Sequence, residues 1–157
     1  DVNEIYILGD LFHKGVNYDI RLFNLFKDVH QNIDINVIKE SQDIMLDEIY
    51  SNFDIRLHKK YYLWNRFLFT HKPMDENIQL NGCDYIFSGY INPGINLAAK
   101  NKPPDNLACY YFNEKQCILP AFGESTRKSL MKPGINDRVY VIAEEKNEPD
   151  VLKYDKK

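Results

Sequence analysis

The stretch that decides the fold is EIYILGDLFHKGVNYDIRLFNLFKDVHQNIDINVI, which runs from Glu4 to Ile38. It opens with an apolar run, Glu4–Leu8, and the following Gly9-Asp10 predicts that a buried strand ends there in a polar loop. Apolar residues then recur at helical spacing between Tyr18 and His30, with charged residues on the opposite side. Asp34–Ile38 returns to strand character. A strand, a helix and a strand within about forty residues indicate a βαβ unit of a layered α/β or α+β fold.

The rest of the chain has a different pattern, in which short apolar runs alternate with turn residues such as Asn92-Pro93-Gly94. This pattern predicts a β-sheet with few helices, and the charged tail from about residue 145 is expected to fray beyond Pro149. We expect one domain over residues 1–157, because no repeat and no long linker interrupts the chain. The predicted strands are Phe53–Leu57, Arg66–Thr70, Tyr85–Ser88, Cys109–Phe112, Cys117–Leu119 and Val139–Ala143.

Composition narrows the class of protein. The 157 residues are 44% hydrophobic and 13% aromatic, which favours a packed globular domain. The apolar runs are too short to span a bilayer, and no signal peptide is evident at the start of the sequence. The net charge of −3 provides no general attraction to nucleic acid or to an anionic membrane. Direct nucleic-acid binding and membrane association are therefore not expected.

The number and spacing of the cysteines indicate the cellular compartment. There are three of them, Cys83, Cys109 and Cys117, and their wide spacing matches neither a disulfide framework nor a zinc site. Cys109 and Cys117 lie in predicted strands, so we expect both to be small core residues. A reducing, cytoplasmic location is the default prediction.

Polar side chains follow four of the predicted strands at the points where those strands end. The segments are Asp10, Glu40–Asp43, Thr70-His71 and Gly89–Asn92. Ligands of α/β sheets bind at the carboxyl ends of strands, so we expect these four segments to converge on one site.

Four stretches of the chain resemble the calcineurin-like metallophosphoesterases, and specifically their bacterial DNA-ligase-associated branch. YILGDLFHKG (Tyr6–Gly15) is similar to the strand and Gly-Asp loop of the family. FLFTHKP (Phe67–Pro73) resembles the strand that ends in a ligand histidine, and DYIFSGYINPGINL (Asp84–Leu97) resembles the Gly-His-x-His-Pro stretch. CILPAFGESTRKSL (Cys117–Leu130) resembles the Leu-Pro-Ala-Phe-Gly segment, which narrows the resemblance to this branch.

The resemblance implies an α+β fold, a layered β-sandwich flanked by helices. It also implies metal-dependent hydrolysis of phosphoesters by two divalent ions about 3.5–4 Å apart, with manganese or a similar ion as cofactor. The opening Asp-x-His motif of the family lies well ahead of the Gly-Asp loop. Only nine residues precede Asp10, so the resemblance implies that the first strand and its ligands are absent from this sequence.

Two of the metal ligands implied by the resemblance are kept in this sequence, and three are replaced, two of them in the Gly-His-x-His stretch. Asp10 matches the aspartate that bridges the two ions, and His71 matches a ligand histidine. The two histidine positions of Gly-His-x-His are occupied by Tyr90 and Asn92. A neutral phenol and an amide oxygen are weak ligands for manganese-like ions at neutral pH.

The Gly-Asn-His-Asp position of the family is also degenerate. Ser41 stands at the ligand asparagine, and Gln42 at the histidine that protonates the leaving group. Asp43 resembles the carboxylate that would orient that histidine from behind. No residue of this chain is therefore assigned a catalytic role.

These observations support three hypotheses about function. The first is a phosphoesterase-family protein that is largely or wholly inactive, a pseudoenzyme. The second is an active phosphodiesterase or phosphatase whose ligands are completed by an upstream segment or a partner chain. The third is a non-catalytic binding module associated with DNA-repair proteins, as the branch resemblance suggests. If the first strand is absent, an exposed strand edge favours a homo-oligomer as well.

Two basic clusters allow alternative interpretations. Tyr61, Tyr62 and Trp64 lie near Lys59 and Lys60, and they are interpreted either as a stacking surface for single-stranded nucleic acid or as sheet packing.

The second cluster is Arg127 and Lys128, which stand where the branch has glycines after Thr126. They are interpreted either as a phosphate contact or as a solvated loop.

Overall fold

The computed structural model describes residues 2–12, 17–40, 47–74, 82–97, 105–123, 126–145 and 148–154. These residues form two helices and twelve strands, a mostly β composition that agrees with the predicted α+β class. The chain separates into two compact units. The first consists of Asp1–Tyr62 with Phe69–His71, and the second of Leu63–Leu68 with Lys72–Lys157. Neither described helix is long and apolar enough to cross a membrane.

In chain order the elements are β1 (Glu4–Ile7), α1 (Asn17–Val29), β2 (Asp34–Lys39), α2 (Asp47–Ser51), β3 (Ile55–Lys59), β4 (Tyr61–Trp64), β5 (Phe67–Thr70), β6 (Tyr85–Ser88), β7 (Pro93–Leu97), β8 (Asp105–Phe112), β9 (Gln116–Ile118), β10 (Ser129–Leu130), β11 (Arg138–Glu145) and β12 (Glu148–Tyr154). The sequence-predicted strand, helix and strand of the opening stretch are confirmed as β1, α1 and β2. Helix α2 and strands β4, β7, β10 and β12 were not predicted.

The first unit is built on a parallel sheet with the strand order β1-β2-β3. Ile35 of β2 lies between Ile5 of β1 and Ile55 of β3 in the register. Because β2 is the middle strand, it is buried on both faces, and its residues Ile35, Val37 and Ile38 are at most 1% exposed. This position explains the nearly continuous apolar run of β2, which is typical of a parallel strand covered on two sides.

Aromatic side chains form much of the core of the first unit. Phe12 is 6% exposed, and its ring centroid lies 5.3 Å from that of Phe23 and 5.6 Å from that of Tyr50. The edge-on geometry of Phe12 and Phe23 is one that aromatic pairs prefer. Phe12 follows Asp10 by two residues, so its burial anchors the loop that carries Asp10.

A buried lysine connects β2 to α2. The Lys39 side chain is 10% exposed, and its ammonium donates to Asp47 Oδ1 at 3.0 Å. The same ammonium lies 5.4 Å from the centroid of the Tyr50 ring. The hydrogen bond from Lys39 holds the pKa of the Asp47 carboxyl below its usual value. This contact joins the end of β2 to the start of α2.

The second unit is built on a larger sheet. Its strand order is β10-β7-β8-β9-β6-β5-β4, and β11 and β12 extend it from β8. Strands β4 and β5 include residues of both units. A cluster of buried side chains forms the core of the second unit. The members of this cluster are Ile95, Cys109, Tyr111, Ile118, Val139 and Val141.

The prediction that the tail frays beyond Pro149 is wrong. Strand β12 pairs antiparallel with β11, from Val139 opposite Tyr154 to Glu145 opposite Glu148. Tyr154 packs against the core cluster of the second unit, which holds this end of the chain in place. Pro149 is tolerated because, among the described strands, β12 pairs with β11 alone, and an edge strand can lack one N–H donor.

The predicted turn at Asn92-Pro93-Gly94 is only partly right. Pro93 and Gly94 are the first residues of β7, and proline is well suited to the first position of a strand. The turn lies earlier, at Tyr90 and Asn92, whose φ angles are 65° and 52°. Residues other than glycine rarely adopt this left-handed backbone conformation, and asparagine tolerates it better than tyrosine.

The cysteines provide a direct test of the core. Cys109 and Cys117 are 0% exposed, as predicted, and burial raises the pKa of their thiols to about 11 and about 12. Cys83 is half-buried. Because the thiolate is the reactive form, we expect a thiol reagent such as Ellman's reagent to modify Cys83 alone in the native protein at about pH 8. All three thiols should react in urea, and rapid modification of three thiols without denaturant would contradict this core.

Candidate functional site

The loop after β1 has a backbone conformation that few residues adopt. Gly9 has a φ angle of 88° and Asp10 one of 47°, so two successive residues lie in the left-handed region. Glycine adopts this conformation without strain, and aspartate is among the residues that tolerate it best. The turn leaves the Asp10 side chain 63% exposed at the end of the strand.

His71 is buried, and its ring is held in one orientation. The residue is 3% exposed, and its Nδ1 lies 2.7 Å from the carbonyl oxygen of Leu8. A carbonyl oxygen only accepts hydrogen bonds, so Nδ1 carries the proton and donates it. In a neutral imidazole the lone pair is then on Nε2, which faces Asp10 Oδ2 at 3.7 Å. This arrangement, with Nδ1 bonded to a backbone carbonyl, is the one that metal-ligating histidines use.

Gly9 is required because the His71 ring packs directly onto the backbone. A Cβ atom at Gly9 would lie 1.9 Å from Nδ1 and 2.3 Å from Cε1 of His71. The sequence indicated Gly9 only as the end of a strand. Its close packing against His71 joins residues that are far apart in the chain, and no local pattern in the sequence could have indicated it.

The structure brings together two of the predicted site residues, Asp10 and His71, which both belong to the first unit. Tyr90 and Asn92 belong to the second unit. The other three predicted positions, Ser41, Gln42 and Asp43, lie outside the described residues.

The segment around Tyr90 has its own local structure. The N–H of Ile91 donates to the carbonyl of Gly89 at 2.8 Å, which closes a γ-turn centred on Tyr90. The Lys72 ammonium lies 4.9 Å from the centroid of the Tyr90 ring, within the range of a cation–π contact. The carbonyl of Asn92 accepts from the N–H of Ser129 at 2.9 Å. Sequence reasoning missed the role of Lys72, because this contact depends on the tertiary fold.

The residues that the structure describes do not fit a pair of divalent ions. The described residues include no group of three His, Cys, Asp or Glu side chains that could hold a metal ion. Asp10 and His71 provide two donors in the first unit. In the second unit, a lysine ammonium lies over the ring of Tyr90, and a positive charge there opposes the binding of a dication.

Comparison with known proteins finds a solved structure with a similar fold. No protein-family model matches the chain, and no curated protein matches it. Among solved structures, nuclease MPE of Pseudomonas putida is similar to it with a TM-score of 0.72 and 21% sequence identity. The match covers 88% of this chain and 66% of that nuclease, so the chain spans just under two thirds of its length. The chain shares the fold of that nuclease over most of its length.

Proposed function

We propose that this chain is a phosphoester-binding member of the metallophosphoesterase fold that does not hydrolyse its ligand through two metal ions. The main support for this proposal is that some metal-ligand positions of the resembled family are kept in this chain and others are replaced. Asp10 and His71 face each other at 3.7 Å, whereas Tyr90 and Asn92 occupy left-handed turn positions of the second unit. The fold shared with a nuclease supports a phosphoester as the ligand class.

The physical argument concerns how hydrolysis at phosphorus is stabilised. Two ions clamp the attacking and leaving oxygens and provide a hydroxide at neutral pH. Without such a pair, none of the described residues is placed to generate an equally strong nucleophile. We therefore expect the protein to bind its ligand without turning it over.

A second candidate function is hydrolysis that depends on one ion, with the missing ligands provided by another chain or segment. The observation that favours it is the His71 ring, whose Nδ1 bond to Leu8 directs Nε2 toward the Asp10 carboxylate. Manganese that bound one ion per chain, and no longer bound after Asp10→Ala, would favour this candidate.

Turnover of bis-p-nitrophenyl phosphate with manganese is the decisive measurement. We expect a rate indistinguishable from that of buffer, unchanged by Asp10→Ala. The matched control is Asp28→Ala, at an exposed helix position. Manganese-dependent turnover that Asp10→Ala abolishes and Asp28→Ala retains would overturn the proposal.

DNA-repair proteins remain the partners we propose on the basis of the branch resemblance and of the nuclease fold. A homo-oligomer formed through a strand edge remains a second proposal, as does a cytoplasmic location. β1 forms one end of the three-stranded sheet, and among the described strands it pairs with β2 alone. Such an edge is a template for pairing with another chain.

A further inference from the structure

Two basic residues adjoin the Tyr90 segment in the second unit. Strand β10 pairs in parallel with β7, with Ser129 opposite Pro93. Ser129 also donates its N–H to the carbonyl of Asn92 at 2.9 Å. Arg127 and Lys128 directly precede Ser129, so the backbone pairing brings both of them beside the end of the Tyr90 segment.

Gly94 allows the chain to pass this close. A Cβ atom at Gly94 would lie 2.9 Å from Cβ of Lys128 and 2.2 Å from Oδ1 of Asn106. Lys128 therefore packs directly over the start of β7, and it is half-buried there, whereas Arg127 is exposed. A side chain at position 94 would push the Lys128 segment away.

A third cation belongs to the same unit. Lys72 holds its ammonium 4.9 Å from the centroid of the Tyr90 ring. Tyr90 lies at the centre of a γ-turn with a φ of 65°, a conformation that is strained for a tyrosine. Strained residues of this kind cluster at functional sites. Half of the Tyr90 side chain remains exposed, at 53%.

Arg127 and Lys128 have no acidic partner among the described residues, since neither forms an ion pair with a carboxylate there. The whole chain is acidic, with a net charge of −3, so a cationic segment runs against its overall balance. Neighbouring like charges without acidic partners repel each other, and an anion that binds between them removes that repulsion.

We propose that Lys72, which contacts Tyr90, and Arg127 and Lys128, which precede the Ser129 that bonds to Asn92, bind a phosphoryl group without a metal ion. An arginine guanidinium presents two parallel donors to phosphate oxygens, and lysine adds a point charge. In this proposal, positively charged side chains attract the anion in place of metal ions. The proposal deepens the proposed function and rests on it for the ligand class, because phosphoester binding is what the fold suggests.

The buried end of β6 adds a polar group to the same segment. Ser88 is 0% exposed, and its hydroxyl has no hydrogen-bond partner among the described residues. A buried hydroxyl without a partner is unfavourable, and in native proteins it commonly indicates a bound water or ion. Ser88 precedes Tyr90 by two residues in the chain.

The test measures binding of inorganic pyrophosphate by isothermal titration calorimetry in a buffer with EDTA, which excludes metal-mediated binding. The variant is Arg127→Gln with Lys128→Gln. Its matched control is Arg21→Gln with Lys27→Gln on α1, which changes the net charge equally. We expect the site variant to bind pyrophosphate at least about tenfold more weakly, since it loses the charge-assisted hydrogen bonds of two cationic side chains. The control is expected to bind like the natural chain.

Equal weakening of both variants would show attraction to net charge alone and would overturn the proposal, as would the absence of binding to the natural chain. Thermal unfolding of both variants confirms that each is folded. Failure of this proposal is distinguishable from failure of the proposed function, because the latter is judged by manganese-dependent turnover and this one by binding in EDTA.

A second arm identifies the source of the phosphoryl group. A dinucleotide with a 5′-phosphate and the same dinucleotide without it are titrated in the same buffer. Tighter binding of the phosphorylated form, weakened in the site variant, would assign the site to a strand end. Tight pyrophosphate binding with no gain from the terminal phosphate would assign it to a free phosphate compound.

Discussion

Gly9→Ala is expected to lower the free energy of unfolding by about 3 to 4 kcal/mol. Two costs add at this position. The φ angle of 88° costs a residue with a Cβ atom about 1 kcal/mol, and the new Cβ atom would lie 1.9 Å from Nδ1 of the buried His71 ring. The ring has to leave its place, and the hydrogen bond to Leu8 is lost with it.

Gly82→Ala separates these two costs. Gly82 has a φ of 86°, almost the same as that of Gly9, but a Cβ atom added there would have no described atom within 4 Å. We expect it to cost only the backbone strain, about 1 kcal/mol. Urea unfolding of both variants provides the comparison. Equal losses would show that His71 does not pack on Gly9 as described.

Phe12→Ala is expected to lower the free energy of unfolding by about 3 to 5 kcal/mol, since it leaves a cavity at the centre of an aromatic cluster. The Phe12 ring is 6% exposed and contacts Phe23, Tyr50 and Phe53. Because Phe12 lies two residues after Asp10, the same change should loosen the loop that places Asp10 beside His71.

The matched control is Phe122→Ala, which removes an equal side chain from a fully exposed position. Its effect should stay within about 0.5 kcal/mol. Should Phe12→Ala fail to fold, Phe12→Leu keeps most of the volume and should cost about 1 kcal/mol. Thermal and urea unfolding measure all three variants. A loss below about 1 kcal/mol for Phe12→Ala would contradict the packing of this cluster.

Local sequence patterns predicted those helices and strands whose secondary structure is determined by a few neighbouring residues. Helix α1 was predicted because its apolar residues recur at helical spacing, and β2 because Ile35, Val37 and Ile38 form a short apolar run. Strand β12 was missed because a charged segment acquires strand structure only through pairing with β11. The start of β7 was missed because Pro93-Gly94 is typical of a turn when it is considered alone.

The proximity of Asp10 and His71 was predicted for a similar reason. The positions of Asp10 and His71 at strand ends indicated that they meet, and their side chains face each other at 3.7 Å. The tautomer of His71 depends on a carbonyl 63 residues earlier in the chain, which no local pattern contains. The contact of Lys72 with Tyr90 is likewise between residues that are distant in sequence.

The sequence by itself determined the βαβ opening and the burial of Cys109 and Cys117, because these depend on residue identity and local periodicity. Only the tertiary structure decided that Gly9 must be a glycine beneath His71, and that Arg127 and Lys128 adjoin the Tyr90 segment. The physical reason is that close packing and the summation of charge depend on distances in space, which chain folding sets and sequence separation does not.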